Sequence, residues 1–312
     1  MYEFSRSQYL YTKSDVTSDI RLPSFICIGA PKCATTWLFE CLAAHPEVFV
    51  PDFKEVNFFT VCRWGKDYET KGIDYYASLF AGAEPNQTVG DFSPNLMQDP
   101  FAPERVAALV PDVRLIVMIR DPISRTHSHY HYVRNRARRL KYSLRDVIDD
   151  PSRDHAGYLS QGLYGEQLER WLAYFPTERF LVIETEKVRE NPQQVFRRTC
   201  EFLEVDSSFQ PPLLQNRVNP AKTVRLPVLY RWNVRASRFL TANGLDRVRS
   251  MLKGLGLPKF VQSLNERPID NPPLTRRDVD DLVEFYRDDI ALLSRLLGRD
   301  FSSWLEVVDD TQ

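Results

Sequence analysis

Short apolar runs alternate along this chain with longer stretches whose apolar residues recur every three or four positions. The pattern predicts a strand at 24–29 and a helix at 35–45, where Trp37, Leu38, Cys41 and Leu42 share one face and His45-Pro46 ends the run. A turn-rich aromatic stretch follows at 51–80, then a short strand around Thr88 to Asp91 and a helix near Pro103 to Val110. The strongest strand signal is Val113 to Arg120, followed by a long polar helix from about Ser124 to Leu140. Beyond it lie a helix at 162–174, a strand from Arg179 to Ile183 and a helix at 192–203. The last helix, 275–297, carries an apolar face of Leu282, Phe285, Tyr286, Leu292, Leu293 and Leu296. Strands alternating with helices predict an α/β fold, a central parallel sheet flanked by crossover helices. Ligands of such sheets bind beyond the carboxyl ends of the strands.

Residues 1–20 read as an N-terminal tail or arm, and 206–273, rich in Pro, Asn, Arg and aromatics, as a lid or acceptor-binding cover. At 312 residues and 43% hydrophobic, the chain can bury a large core in one or two α/β units. A net charge of −1 argues against a nucleic-acid partner. The longest apolar run, Leu115 to Ile119, is far too short for a membrane span, and the N-terminus has no apolar signal-peptide core. Five cysteines (Cys27, Cys33, Cys41, Cys62, Cys200) show no Cys-x-x-Cys spacing. Cys27 and Cys41 sit at apolar positions and read as reduced core residues, which predicts a cytoplasmic, reducing setting and no zinc site. Oligomeric state has no signature in the sequence.

Two segments carry chemistry. Phe25 to Leu38 reads as a buried strand, a tight turn holding Lys32, and a helix start bearing Thr35 and Thr36. Helix N–H groups, two hydroxyls and an ammonium gathered at one point attract a phosphate or sulfate. The turn is not a Walker A loop. Lys32 falls three residues after Gly29, and Cys33-Ala34 stand between it and the threonines, so the magnesium-binding hydroxyl position is missing. The second segment places Arg120 at a strand end and Ser128 eight residues on. With a helix beginning near Ser124, Ser128 lies one turn in and faces Arg120, and an Arg fork plus a hydroxyl clamps a phosphate. A structural Arg paired to a buried carboxylate is the competing reading. One ligand with charged groups at both ends would span the two sites.

With both motifs in hand, the chain resembles the sulfotransferases that use 3′-phosphoadenosine 5′-phosphosulfate (PAPS). The Lys32 turn is similar to their Pro-Lys-x-Gly-Thr-Thr loop, and the Arg120 segment to their Arg-(Asn/Asp)-Pro followed by Ser-His-Tyr. Lys54-Glu55-Val56-Asn57-Phe58-Phe59, Gly90-Asp91-Phe92-Ser93-Pro94, Gly162-Leu163-Tyr164, Phe202-Leu203 and Leu297-Gly298-Arg299-Asp300 with Trp304 extend the likeness in the same order. It is nearest the branch of heparan sulfate sulfotransferases and soluble bacterial relatives. The resemblance implies a P-loop-like three-layer fold, with 21–312 as one sulfotransferase domain. It also implies PAPS as co-substrate without a required metal, and a small-molecule or glycan acceptor.

The site residues follow by motif match. Lys32 is expected on the bridging or leaving oxygen, and Glu55 as the general base. Cys33, Ala34, Thr35, Thr36 and Trp37 are expected around the 5′-phosphate. Arg120 and Ser128 are expected at the 3′-phosphate, with Lys222 and Arg225 capping it. Phe58 and Phe59 are expected to bury Glu55 and so raise its pKa; a surface ion pair of Glu55 with Lys54 is the competing reading. Ala34 replaces the family's Gly, which predicts a turn that avoids the left-handed region. Asn57 stands where heparan sulfate enzymes have His, and Phe92 where some relatives have Lys. His127 and His131 share a helix face without a zincin pattern, and Arg134, Arg136, Arg138, Arg139 and Lys141 read as a solvated face, with contact to an anionic acceptor such as a sulfated or uronic glycan as the competing reading. A P-loop small-molecule kinase and a non-catalytic nucleotide- or glycan-binding module are the alternatives.

Overall fold

Phe25–Gly29 (β1) is buried at every position, which a strand achieves only with layers on both faces and neighbours on both edges. The computed structural model describes residues 10–16, 21–61, 67–135, 140–215 and 271–306, together with the backbone of 222–224 and 266–268. β1 is the centre of a five-stranded sheet with Val48–Phe49 (β2), Thr88–Phe92 (β3), Arg114–Ile119 (β4) and Phe180–Glu184 (β5), in the order β2-β3-β1-β4-β5. All neighbours pair in parallel. Phe25 lies opposite Gly90 of β3 and Arg114 of β4. A Cβ on Gly90 would collide with the Phe25 ring, so the small residue admits the large one across the strand pair.

The register between β1 and β4 slips between Cys27 and Gly29, leaving an extra residue on β1 just before the Lys32 turn. Such a bulge bends its strand and re-aims the residues beyond it. Past the slip, Ala30 N–H still bonds Met118 O at 2.6 Å.

Helices flank the sheet: Thr35–Ala43 (α1), Asp67–Thr70 (α2), Gly72–Ser78 (α3), Ala102–Leu109 (α4), Pro122–Arg134 (α5), Leu144–Asp149 (α6), Tyr164–Leu172 (α7), Thr185–Glu190 (α8), Pro192–Leu203 (α9) and Arg276–Leu297 (α10). The alternation predicts six of these; α2 and α3 lie in the stretch that reads as turn-rich, and α6 and α8 are short helices that the periodicity does not show. A short antiparallel pair, Lys222–Val224 with Glu266–Pro268, lies within the expected cover, most of which falls outside the described residues. In the expected tail, Tyr11 packs edge-on to Tyr68 at 4.9 Å and donates its N–H to the Tyr68 hydroxyl.

α5 starts two residues earlier than its periodicity suggests. Asp121 accepts the N–H groups of Ile123 and Ser124, and Pro122 occupies the first helical position, where a missing N–H costs nothing. Ser128 therefore sits nearly two turns in. On α10, Leu282, Tyr286, Ile290 and Leu293 are buried, whereas Phe285, Leu292 and Leu296 are only partly covered. Asp289 shares the buried stripe, and its carboxylate caps α7 by accepting Gly165 N–H at 2.9 Å and Glu166 N–H at 2.8 Å.

Candidate functional site

The chain turns direction in the sheet after β3, so β1 and β4 flank the switch point where parallel sheets open a crevice. The Lys32 turn leaves the carboxyl end of β1, and Arg120 leaves that of β4. The two cationic segments are thus neighbours on one edge. Electrostatics agree: burial pushes the Cys33 thiol up to about 11, and the charges of both Arg125 and Arg120 act against that rise.

Within the turn, Lys32 and Ala34 have φ of 72° and 61°. The expectation that Ala34 avoids the left-handed region is therefore corrected. Ala34 occupies it, with ψ of 16°, as the residue that opens α1. Its carbonyl receives the Trp37 N–H at 2.9 Å, and the N–H groups of Thr35 and Thr36 stand ahead of that first helical bond, where a helix has no partner of its own for them. Lys32 Nζ lies 3.7 Å over the ring of Tyr132 on α5. Cys33 is buried with its sulfur 3.5 Å from the Tyr164 hydroxyl, and Trp37 is buried and donates its indole N–H to Leu214 O. Both side chains therefore buttress the turn from within.

The Glu55 segment is built from below. Phe58 stacks on Tyr76 at 4.4 Å, and Phe59 meets Tyr76 and Tyr68. Because both rings drop into that cluster, Glu55 stays exposed, and the expectation that they bury it is corrected. Glu55 and Asn57 are left-handed, with φ of 68° and 52°. Groups from β3 and the residue after it hold them there. Glu55 N–H bonds Phe92 O at 2.6 Å and Asn57 N–H bonds Ser93 Oγ at 2.8 Å, while Ser93 donates to buried Asp91 at 2.7 Å and Tyr76 donates to it at 3.0 Å. Burial raises the Asp91 pKa to about 6, with the two hydroxyls pulling the other way. Among the described residues, four of the five non-glycine residues with positive φ lie in these two loops; the fifth, Glu204, ends α9. Backbone strain concentrates where a site is held in shape.

Lys54 does not pair with Glu55. Its ammonium reaches across to Thr35 Oγ1 at 3.1 Å and Thr36 Oγ1 at 2.9 Å. The sequence shows Lys54 only as a neighbour of Glu55, and nothing in the spacing reveals the span.

Arg120 is half-buried, and its Nε is buried with no hydrogen-bond partner among the described residues. No described carboxylate bonds it, although Glu186 lies within electrostatic range. An orphaned guanidinium N–H at a sheet edge suits an anionic group. Ser128 is half-buried on α5. Arg125, missed in the sequence, is fully buried and donates to Tyr158 O and Thr126 Oγ1; its motif position was the only available signal. His129, flanked by Arg125 and Lys32, is driven down to about 3, chiefly by burial. Lys222 opens a short strand whose side chains lie outside the described residues, as do Arg225, Arg136, Arg138 and Arg139. His127 and His131 meet edge-on at 4.5 Å, and no group of three metal-ligating side chains occurs among the described residues.

A parallel sheet whose central strand turns tightly into a helix N-terminus, with a second cationic turn one strand over, defines the P-loop-like α/β class. The sulfotransferase domain model matches residues 22–223, and the chain belongs to that family. It is 32% identical over 203 residues to human bifunctional heparan sulfate N-deacetylase/N-sulfotransferase 3, covering 59% of this chain and 22% of that protein. The mouse form 4 is 33% identical over 206 residues, covering 60% and 23%. The chain therefore spans under a quarter of the length of these relatives. A sulfotransferase from Alicyclobacillus acidocaldarius shares the fold, with a TM-score of 0.65 and 24% identity over 92% of this chain and all of that one.

Proposed function

We propose that the chain is a sulfotransferase that moves the sulfuryl group of PAPS to a hydroxyl of a glycan or secondary-metabolite acceptor. The observation that carries this reading is the adjacency of the Lys32 turn and Arg120 on one edge of the sheet, either side of the switch point. The orphaned Arg120 Nε suits the 3′-phosphate, with Ser128 on the following helix. Lys222 and Arg225, whose side chains lie outside the described residues, cap it by the family resemblance. The hydroxyls of Thr35 and Thr36 and the first N–H groups of α1, on a turn made by Cys33 and Ala34 and braced by Trp37, suit the 5′-phosphate.

Transfer is then an in-line displacement. The acceptor oxygen attacks sulfur, an S–O bond forms, and the bond from sulfur to the bridging oxygen breaks, releasing 3′-phosphoadenosine 5′-phosphate. Lys32 stabilises charge growing on the leaving oxygen, and exposed Glu55 takes the acceptor proton. The exposure of Glu55 supports that role, since it leaves the carboxylate open to solvent. The names of the curated relatives favour a second reading, transfer to an amine. Among the described residues no helix is long and apolar enough to cross a membrane. The unpaired, buried Cys27, Cys33, Cys41 and Cys200 support a reducing, cytoplasmic setting.

The test is Glu55→Gln with labelled PAPS and an extract of the source cells, the labelled product being identified by mass spectrometry. Transfer is expected to vanish while affinity for 3′-phosphoadenosine 5′-phosphate stays near that of the parent. Turnover at the parental rate overturns the base assignment. A thermal shift with ATP–magnesium but none with the bisphosphate overturns the donor and returns the kinase reading. Donor binding with no product from any acceptor returns the binding module.

A further inference from the structure

We propose that Lys54 is a positioning residue of the donor site. Its ammonium sets the Thr35 and Thr36 hydroxyls as donors to the 5′ group and supplies a second cation to that end. The inference rests on the donor reading above.

The hydrogen-bond chemistry fixes the direction. An ammonium has three protons and no lone pair, so at 3.1 and 2.9 Å Lys54 can only donate to the two threonine oxygens. Each hydroxyl accepts from Lys54, and its own proton is turned away toward another acceptor. Both hydroxyls stand at the N-terminus of α1 beside the helix's first N–H groups, Thr35 buried and Thr36 partly exposed. The arrangement is a set of donors with a positive charge behind it, which an oxyanion with several lone pairs satisfies.

No ion pair with a carboxylate holds Lys54 among the described residues. Glu55 and Glu40 act on it only at range, and burial lowers its pKa. A partly desolvated ammonium without a bonded counter-ion gains most from an arriving anion. β3 itself carries no cation, and its last residue, Phe92, packs into the core against Phe39 at 5.3 Å and Phe25 at 6.1 Å. Lys54 also adjoins Glu55, whose N–H is bonded to β3. One side chain therefore ties the turn that holds the donor to the loop that carries the candidate base.

The assignment is tested by calorimetric titration of the parent, Lys54→Met and Lys54→Arg with two ligands. These are 3′-phosphoadenosine 5′-phosphate and adenosine 3′-phosphate, which lacks the 5′ group. Lys54→Met is expected to weaken the bisphosphate about 10- to 100-fold, the range for hydrogen bonds to a charged group, and to leave the monophosphate unchanged. Unchanged monophosphate binding also shows that the variant is folded. Lys54→Arg, which keeps charge and donors, is expected to recover most of the bisphosphate affinity. Equal losses for both ligands, no loss for either, or an Arg variant as weak as the Met variant overturns the assignment. A parent that binds neither ligand overturns the donor reading itself, and the role of Lys54 with it.

Discussion

Asp91 offers the sharpest test of how this fold supports its site. Its carboxylate is fully buried beneath the Glu55 loop and, among the described residues, receives the hydroxyls of Ser93 and Tyr76. Burial raises its pKa from 3.8 to about 6, a difference worth about 3 kcal/mol. Between about pH 4 and pH 6 the native state thus keeps a proton that the unfolded chain has released. The stability owed to that proton is complete below pH 4 and is lost as the pH climbs through 6.

Asp91→Asn removes the titration while keeping size and shape. The amide oxygen accepts one hydroxyl, and the NH₂ donates to the other. The variant is expected to match the parent near pH 4 and to exceed it by about 3 kcal/mol at pH 8. Urea unfolding followed by tryptophan fluorescence from about pH 4 to pH 8 measures the difference directly. A gap between parent and variant that does not change with pH refutes the reasoning, since Asp91 would then be ionised in the native state throughout.

Two further predictions concern backbone geometry. Ala34→Gly relieves a left-handed alanine costing about 1–2 kcal/mol and adds about 0.5–1 kcal/mol of unfolded-state entropy, so a net gain of about 0.5–1 kcal/mol is expected. Differential scanning calorimetry checks it, and a lowered melting temperature contradicts the observed φ. Gly165→Ala places a Cβ 2.5 Å from Asp289 O and 2.9 Å from Leu293 N, both backbone atoms of α10. The helices must part, loosening the Asp289 cap as well, and a loss of about 2–3 kcal/mol by urea unfolding is expected. A neutral result shows that the α7–α10 contact has slack.

Much of this is legible in one dimension. The strands at 24–29 and 113–120 show as continuous apolar runs because parallel strands in a covered sheet have no polar face. The Lys32 and Arg120 motifs are contiguous, so local spacing carries them whole. Local spacing fails where partners are distant in the chain. Lys54 lies 18 and 19 positions from the hydroxyls it binds, and Ser93 lies 36 from the Asn57 N–H it accepts. In the sequence Glu55 reads as buried because two phenylalanines come soon after it. Only the packed cluster shows them pointing beneath the loop and leaving the carboxylate in water.

Composition and periodicity by themselves determined a covered parallel sheet with two cationic turns at strand ends, since burial and helix geometry leave repeating marks in the chain. Tertiary structure alone decided which strands became neighbours, which lysine stood behind the hydroxyls, and which backbone positions were held left-handed. Those outcomes depend on hydrogen bonds and packing between segments well separated in the chain, which no local pattern encodes.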